Sequence, residues 1–425
     1  MLVQDKPALS FQYREKLSQW YNAWKEAGWV FLLSRFILLL VTFIGPSVFP
    51  HFEVEYHEVN HHLTAVNVVH PPVQCAVEVE HCLLAWNSWD DGVFADVAHR
   101  GYPNIANKQN LVAIFPLWPL VMHIIGDHFG DPSKAIFYTG LVLSNICFYF
   151  SLVLFYRLVS FDFSSKIAKN ALFFLALGPY ALFFFIGYSE AFFLLLCLGA
   201  FFFLRRGHAL DWWLAGLCGF LASLTRATGF VLIIPFLVLL VQRFWPHRHE
   251  IKAHWRPLLN MALPLLLIPC GLLLYMIYLG ITKGNPLAFD IAEEVSWGRK
   301  LDFPWAGLVN AVRSFFVYRS NFEENFTDLV FTSIPLATLL VYWRRLPLYY
   351  SLFSLAMMIF SLTHPVKGPN YPLSSSPRFM MVIFPLYILF AFWCKKSRMR
   401  NLLMGLSLSL FTIYALLFVC HGWVA

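Results

Sequence analysis

The chain is 425 residues long, 59% hydrophobic and 18% aromatic, with only 13% of its residues charged. Soluble domains carry about 25% charged residues, so a soluble globular protein is excluded, and apolar runs of membrane-spanning length recur throughout. The formal net charge of +7 does not point to nucleic acid, because a polytopic membrane protein concentrates Lys and Arg in its cytoplasmic loops.

In chain order, the first ~27 residues are polar, basic and aromatic. The apolar run that follows, 28–48, is long enough to span, so an uncleaved first helix is expected rather than a signal peptide. Arg35 within it would snorkel or pair with an acidic residue. The next segment is acidic and histidine-rich. Glu53, Glu55, Glu58, Glu78 and Glu80 read as a solvated loop face, and His51, His57, His61, His62, His70 and His81 show no ordered metal-ligand spacing. Cys75 and Cys82 would form a disulfide in an oxidising compartment, whereas the other six cysteines lie in or beside apolar runs and read as small packed residues. Then comes Asn-Ser-Trp-Asp-Asp-Gly, 87–92, leading into a short helix over 92–101 with Val93, Phe94 and Val97 on one face and Gly101 as its stop. Residues 110–126 are apolar but broken by Pro116 and Pro119, and read as a re-entrant or interfacial piece or as a full span. Further spans are expected at 135–158, 170–186, 188–204, 211–224, 229–243, 259–281, 328–343, 348–363, 378–393 and 402–420. With the first, that makes about eleven or twelve spans in a single transmembrane domain over 1–425. No short-period repeat is visible, and no pair of matching broken halves of the kind transporters carry.

Positive charge sets the orientation. Lys6, Arg14, Lys16 and Lys25 precede the first span, and the basic loops are YRLVSFDFSSKIAK, FLRRGH, QRFWPHRHEIKAHWR, YWRRLP and CKKSRMR. All fall in the cytoplasm if 110–126 does not complete a crossing. Residues 49–110, the turn 187–190, the break 225–229 and the loops 283–327 and 364–378 then face outside. Polar motifs and basic loops segregate to opposite faces, which places the active surface on the extracytoplasmic side.

The motifs each admit a plain and a chemical reading. An aspartate at a helix N-terminus ordinarily caps free N–H groups, which accounts for one of Asp90 and Asp91. The other, kept ionised by the helix terminus beside Trp89, suits a general base acting on a sugar hydroxyl. Gly187-Tyr188-Ser189-Glu190 lies between apolar runs, where a glutamate is costly unless paired or wet; Ser189 or Glu190 as a cap of the next helix is the simpler alternative. Thr225-Arg226-Ala227-Thr228-Gly229 interrupts an apolar stretch too long for one span. Arg226 either snorkels to headgroups or recognises a phosphate. Arg378 follows a Pro/Ser/Asn-rich loop that carries His364 and Lys367, and would be a second phosphate ligand. Outer-face cations run against the positive-inside rule, and an anionic lipid-linked ligand supplies a reason. Asn325-Phe326-Thr327 is a glycosylation sequon, of consequence only in a eukaryotic secretory pathway.

As a set these residues resemble a known family. Trp89-Asp90, Ala98, Gly101-Tyr102 and Phe115-Pro116-Leu117-Trp118-Pro119, then Tyr188-Ser189-Glu190, Thr225-Arg226 with Gly229, and Pro377-Arg378-Phe379, are similar in order and spacing to the phosphatidylinositol-glycan class V (PIG-V) mannosyltransferases and their prokaryotic relatives. The resemblance runs from about residue 28 to 393. It implies a glycosyltransferase C (GT-C) fold: an all-α polytopic membrane bundle whose first extracytoplasmic loop carries short membrane-surface helices. It implies transfer of a sugar, by family preference mannose, from a polyprenyl- or dolichyl-phosphate donor. The acceptor would be a hydroxyl of a lipid-linked glycan, glycolipid or glycoprotein, and the configuration would invert. On this reading Asp90 is the general base and Asp91 or Glu190 orients the acceptor. Trp89 and Tyr102 offer aromatic surface to a sugar, Arg226, Arg378 and Lys367 meet the phosphate, and Ser189 joins the substrate site. No cofactor is required, since arginines can hold a lipid monophosphate, although a divalent metal bridging Asp90 and Asp91 is compatible with the pair. Val93 stands where eukaryotic members carry a histidine, three residues after the motif aspartate, and Asp91 is not a fixed feature of the pattern. A prokaryotic inner or plasma membrane is the expected location, with the endoplasmic reticulum as the alternative. A transporter or flippase of lipid-linked glycans would use the same arginines and aromatics without a general base. A non-catalytic scaffold would not need the Asp90, Glu190 and Arg226 regions to converge.

Overall fold

The computed structural model describes residues 9–59, 62–73, 75, 77–102, 111–317, 322–367 and 371–424. Helix α1 (Leu9–Val48) leads into an antiparallel hairpin of β1 (His51–Val59) and β2 (His62–His70), registered from His51 opposite His70 to Val59 opposite His62. The helices α2 (Val79–Leu84), α3 (Asp90–Arg100), α4 (Leu117–Gly126), α5 (Pro132–Asp162), α6 (Ser165–Ala176), α7 (Glu190–Arg206) and α8 (Ala209–Thr225) follow. Next are α9 (Ile233–Phe244), α10 (Ile251–Ala262), α11 (Leu267–Lys283), α12 (Ala288–Trp297), α13 (Ala306–Val317) and α14 (Phe322–Tyr342). The chain closes with α15 (Leu348–Leu362), α16 (Ser376–Met381), α17 (Pro385–Trp393) and α18 (Ser397–Val419). The hairpin stands where a solvated loop was expected. The side chains of 51–67 lie outside the described residues, and with them most of the histidine-rich segment. Cys75 and Cys82 are disulfide-bonded with their Cα atoms 5.8 Å apart, just ahead of α3.

The chain is an integral membrane protein. Among the described residues six helical stretches are long and apolar enough to cross a membrane: Leu17–Val48, Lys134–Asp162, Ala227–His249, Trp255–Lys283, Phe322–Arg345 and Ser397–Val419. The other runs expected as spans fold as shorter or interrupted helices. The run 170–186 breaks at Gly178-Pro179, and 378–393 is divided between α16 and α17 ahead of Pro385, since proline brings no N–H to a helix interior. Helix α4 has ten residues, about 15 Å or half the hydrocarbon core. That length fits the re-entrant reading of 110–126. Asn325 is 1% exposed within α14, so the sequon expected in an outer loop is not accessible to modification.

The break after α6 positions the site, and irregular backbone at membrane depth must find its partners within the protein. Ser407 Oγ donates to Leu177 O at 2.8 Å, Arg35 Nη2 to Phe184 O at 2.9 Å, Asn145 Nδ2 to Phe185 O at 2.9 Å and Trp118 Nε1 to Gly187 O at 2.6 Å. Arg35 therefore neither snorkels nor meets an acid. Its Nε donates to Asn145 Oδ1 at 2.7 Å, and its guanidinium lies over Phe148 at 4.6 Å. The first span thus holds the unwound segment that delivers Tyr188, Ser189 and Glu190.

Candidate active site

Helix α3 starts at Asp90, two residues ahead of the expected 92. Trp89, with a left-handed φ of 61°, turns the chain into it, and Gly101 at φ 69° ends it. Neither aspartate caps the helix. The Asp90 backbone N–H instead donates to Tyr188 OH at 2.9 Å, and that hydroxyl donates to Ser88 O at 3.2 Å. Tyr188 so fastens the start of α3 to the turn before α7.

Four pieces of chain then meet. Asp90 Oδ2 accepts from Arg378 Nη1 of α16 at 2.7 Å. Glu190 Oε1, at the start of α7, lies 2.8 Å from Arg226 Nη1 and 3.6 Å from Arg378 Nε. Arg226 Nη1 also donates to Ser189 Oγ at 3.2 Å. Arg226 has extended backbone between α8 and a tight helical turn, Ala227–Leu232, that folds back on α8. Gly229 permits the fold-back, since a Cβ there would stand 2.3 Å from the Ala222 backbone. Arg226 faces the bundle interior, so the snorkelling alternative does not hold.

A third pair completes the arrangement. Arg299 Nε lies 3.7 Å from Glu293 Oε2, and Arg299 Nη2 donates to Ser374 O at 2.8 Å. All three guanidinium groups surround the ring of Phe379: Arg299 at 4.8 Å, Arg226 at 5.4 Å and Arg378 at 5.4 Å. The ring face attracts cations, while Asp90, Glu190 and Glu293 offset the repulsion among them. Burial pushes the Glu293 carboxyl up, with Arg299 opposing, and pushes the Arg299 guanidinium down. The Glu293 side chain is nonetheless 39% exposed, and it lines a cavity that is partly open to the surface. That cavity is lined by all six charged groups, by Ser189, Thr225, Thr228, Asp290 and His364, and by Phe94, Ile114, Phe115, Phe289, Trp297 and Phe360.

Of the residues singled out in the sequence, Asp90, Ser189, Glu190, Arg226 and Arg378 converge on this cavity and Trp89, Asp91, Tyr102 and Lys367 do not. Trp89 packs edge-on against Trp423 at 4.7 Å. Tyr102 donates to Ile114 O at 2.6 Å and lines a neighbouring apolar groove with Leu120, Leu274, Tyr275 and Tyr278. Lys367 is exposed and pairs with Glu294. Asp91 is 1% exposed and packs against Gly187, and neither of its carboxylate oxygens makes a well-formed hydrogen bond. Burial pushes its carboxyl up to about 8, with the Gly187 backbone opposing and Asp90 adding to the shift. The two aspartates thus differ in surroundings: Asp90 lines the cavity and Asp91 packs against Gly187. Among the described residues no group of three or more His, Cys, Asp or Glu side chains is placed to hold a metal. Glu293, Trp297 and Arg299 were not anticipated. Their signal was the i, i+4 spacing of Glu293 and Trp297, unremarkable in a loop until a helix is known to lie there.

Fold and site together define a polytopic membrane protein with one charged cavity built from several separate segments. The chain belongs to the mannosyltransferase (PIG-V) family, whose model it matches over residues 25–299. Asp90, Ser189, Glu190 and Arg226 fall within the matched region and Arg378 beyond it. No curated protein matches the chain. Among solved structures it is similar to the Archaeoglobus fulgidus oligosaccharyltransferase in the apo form, at 13% identity over 93% of this chain and 55% of that one, with a TM-score of 0.45. It is similar to the same enzyme in complex with Zn and sulfate, at 13% identity over 92% and 52% with a TM-score of 0.42. The form tethered by a disulfide to an acceptor peptide containing the NVT sequon matches at 12% identity over 94% and 56%, with a TM-score of 0.45. The chain spans about half the length of the oligosaccharyltransferase chains it matches.

Proposed function

We propose that this protein transfers mannose from a polyprenyl-phosphate donor to a hydroxyl of a lipid-linked glycan, glycolipid or glycoprotein on the extracytoplasmic face, with inversion at the anomeric carbon. The observation that carries this reading is the convergence of Asp90, Glu190, Arg226 and Arg378, from four separate segments, on one cavity. The acceptor oxygen attacks the anomeric carbon as the bond to the phosphate oxygen breaks. Asp90, held through Oδ2 by Arg378, takes the acceptor proton on its other oxygen. Arg226 and Arg378 exchange a carboxylate partner for the leaving phosphate and stabilise its developing charge. In this scheme arginines rather than a metal meet the phosphate. The apolar groove lined by Tyr102, Leu120 and Leu274 lies beside the cavity and offers the lipid tail a path.

The extracytoplasmic placement is supported by charge. Arg205 pairs with Asp162 at the far end of α7, whose 17 residues extend about 25 Å from the cavity. This is the end that bears the basic loops. Transfer of radiolabelled mannose from polyprenyl-phosphate-mannose, in membranes holding wild type or Asp90→Asn, tests the scheme. Incorporation that disappears in the variant is expected. Equal incorporation removes Asp90 from the chemistry, and transport of a lipid-linked glycan undiminished in the variant, without transfer by wild type, identifies a flippase instead.

A further inference from the structure

The cavity has a second wall, chemically unlike the arginine side. Helix α12 presents Phe289, Asp290, Glu293 and Trp297 to it, the i, i+1, i+4, i+8 spacing of one helical face. Glu293 is steadied from behind by Arg299, which is 7% exposed and anchored to Ser374 O. Asp290 Oδ1 lies 3.9 Å from His364 Nε2. Among the described residues no aromatic ring is stacked on Trp297. Two carboxylates on this wall repel a phosphate, so it is not suited to the charged part of the donor. They accept hydrogen bonds from the hydroxyls of a sugar, and an indole beside them covers the apolar C–H face of a pyranose ring.

We infer that the α12 face is the acceptor subsite, with Glu293 and Trp297 as residues that select and seat the acceptor sugar. The inference rests on the transferase reading above and adds to it the location and chemistry of the acceptor. The arginine side takes the lipid phosphate, the α12 side takes a neutral, hydroxyl-rich ring, and Asp90 lines the same cavity as both. The donor sugar's anomeric carbon then meets an acceptor hydroxyl within reach of the base.

The full-length protein in lipid nanodiscs, assayed with radiolabelled polyprenyl-phosphate-mannose and a host-membrane glycolipid extract, gives separate KM values for donor and acceptor. Glu293→Gln and Trp297→Ala are each expected to raise the acceptor KM roughly ten- to hundredfold, the loss for one hydrogen bond to a charged group or one stacking platform. The donor KM stays at its wild-type value, and an unchanged thermal midpoint reports that the variants are folded. Trp297→Phe, which keeps a ring, recovers most of the loss. An unchanged acceptor KM in both variants overturns the subsite, and so does a rise confined to the donor KM. If wild type transfers no mannose to the extract, the transferase reading itself fails and the subsite with it. If wild type transfers and both variants match it, only the subsite fails.

Discussion

Helix α7 bears an ion pair at each end, and the two differ in what they leave open. At the C-terminal end Asp162 is saturated: Oδ1 accepts from Arg205 Nη2 at 2.5 Å and Oδ2 from Tyr349 OH at 2.8 Å, while Arg205 also lies over the Tyr349 ring at 5.5 Å. At the N-terminal end Glu190 offers a single oxygen to two arginines, and its Oε2 has no partner. Arg205 Nε is unpartnered as well, so the contrast lies in the carboxylates rather than the cations. A closed cluster fastens α5, α7 and α15 together. The other, beside a cavity, leaves one buried carboxylate oxygen without a hydrogen bond. Buried polar groups left unsatisfied in an otherwise well-paired fold are where function is to be sought.

Exchanging the acids breaks this comparison most sharply. Asp90→Asn is expected to lower mannose transfer by roughly 10²–10⁴-fold per folded molecule, the usual contribution of a general base, with a loss of about 1–3 kcal/mol in stability from the weakened Arg378 hydrogen bond. Arg378→Gln is expected to cost about 10²–10³-fold in kcat, comparable to losing one charge-stabilising donor, with the donor KM raised. Asp162→Asn touches stability alone. It weakens a partly buried charged hydrogen bond, so a loss of about 1–3 kcal/mol in stability is expected, with kcat per folded molecule unchanged. A fall in kcat for Asp162→Asn at full folding would show that the far end of α7 communicates with the cavity. Arg35→Leu probes the scaffold between them. It leaves Phe184 O and Asn145 without their donor and is expected to cost about 1–3 kcal/mol, read as a lower thermal midpoint.

The contrast between these ends also marks what the sequence could disclose. Hydropathy sufficed for a polytopic helical protein, and charge bias sufficed to group the segments around Asp90, Glu190, Arg226 and Arg378 before any contact was known. Glu190 and Arg226 stand out because a charge between or within apolar runs has few bland explanations. Glu293, Trp297 and Arg299 escaped notice for the converse reason: they sit in the polar loop 283–327, where charge and tryptophan are ordinary. Asp91 lies apart from Asp90 because adjacency in sequence is not adjacency of side chains. Successive residues of a helix point about 100° apart, so Asp90 meets the cavity while Asp91 enters the packing against Gly187. The break at Gly178-Pro179 was hidden in a run whose hydropathy alone suggests a continuous span. Its carbonyls are satisfied by Ser407, Arg35 and Asn145, partners remote in sequence that no local pattern could supply.

The two aspartates of the motif repeat the comparison on a smaller scale, and pH separates them. In the unfolded chain Asp91 releases its proton near 3.8, whereas the folded protein holds it until about 8 because the site is dry. Between those values the folded state binds more protons than the unfolded one, so stability falls as pH rises, and the loss is complete only above about 8. Asp91→Asn removes the ionisation while keeping the shape. The variant is expected to unfold at a higher temperature than wild type at pH 8, by an amount worth up to a few kcal/mol, and to converge with wild type towards pH 4. Gly187→Ala serves as the steric counterpart, because its Cβ would stand 2.5 Å from Asp91 Oδ1; it is expected to destabilise at every pH. If the stability difference for Asp91→Asn did not depend on pH, the carboxylate would have to be hydrated, and the separation between a solvated Asp90 and a dry Asp91 would fail.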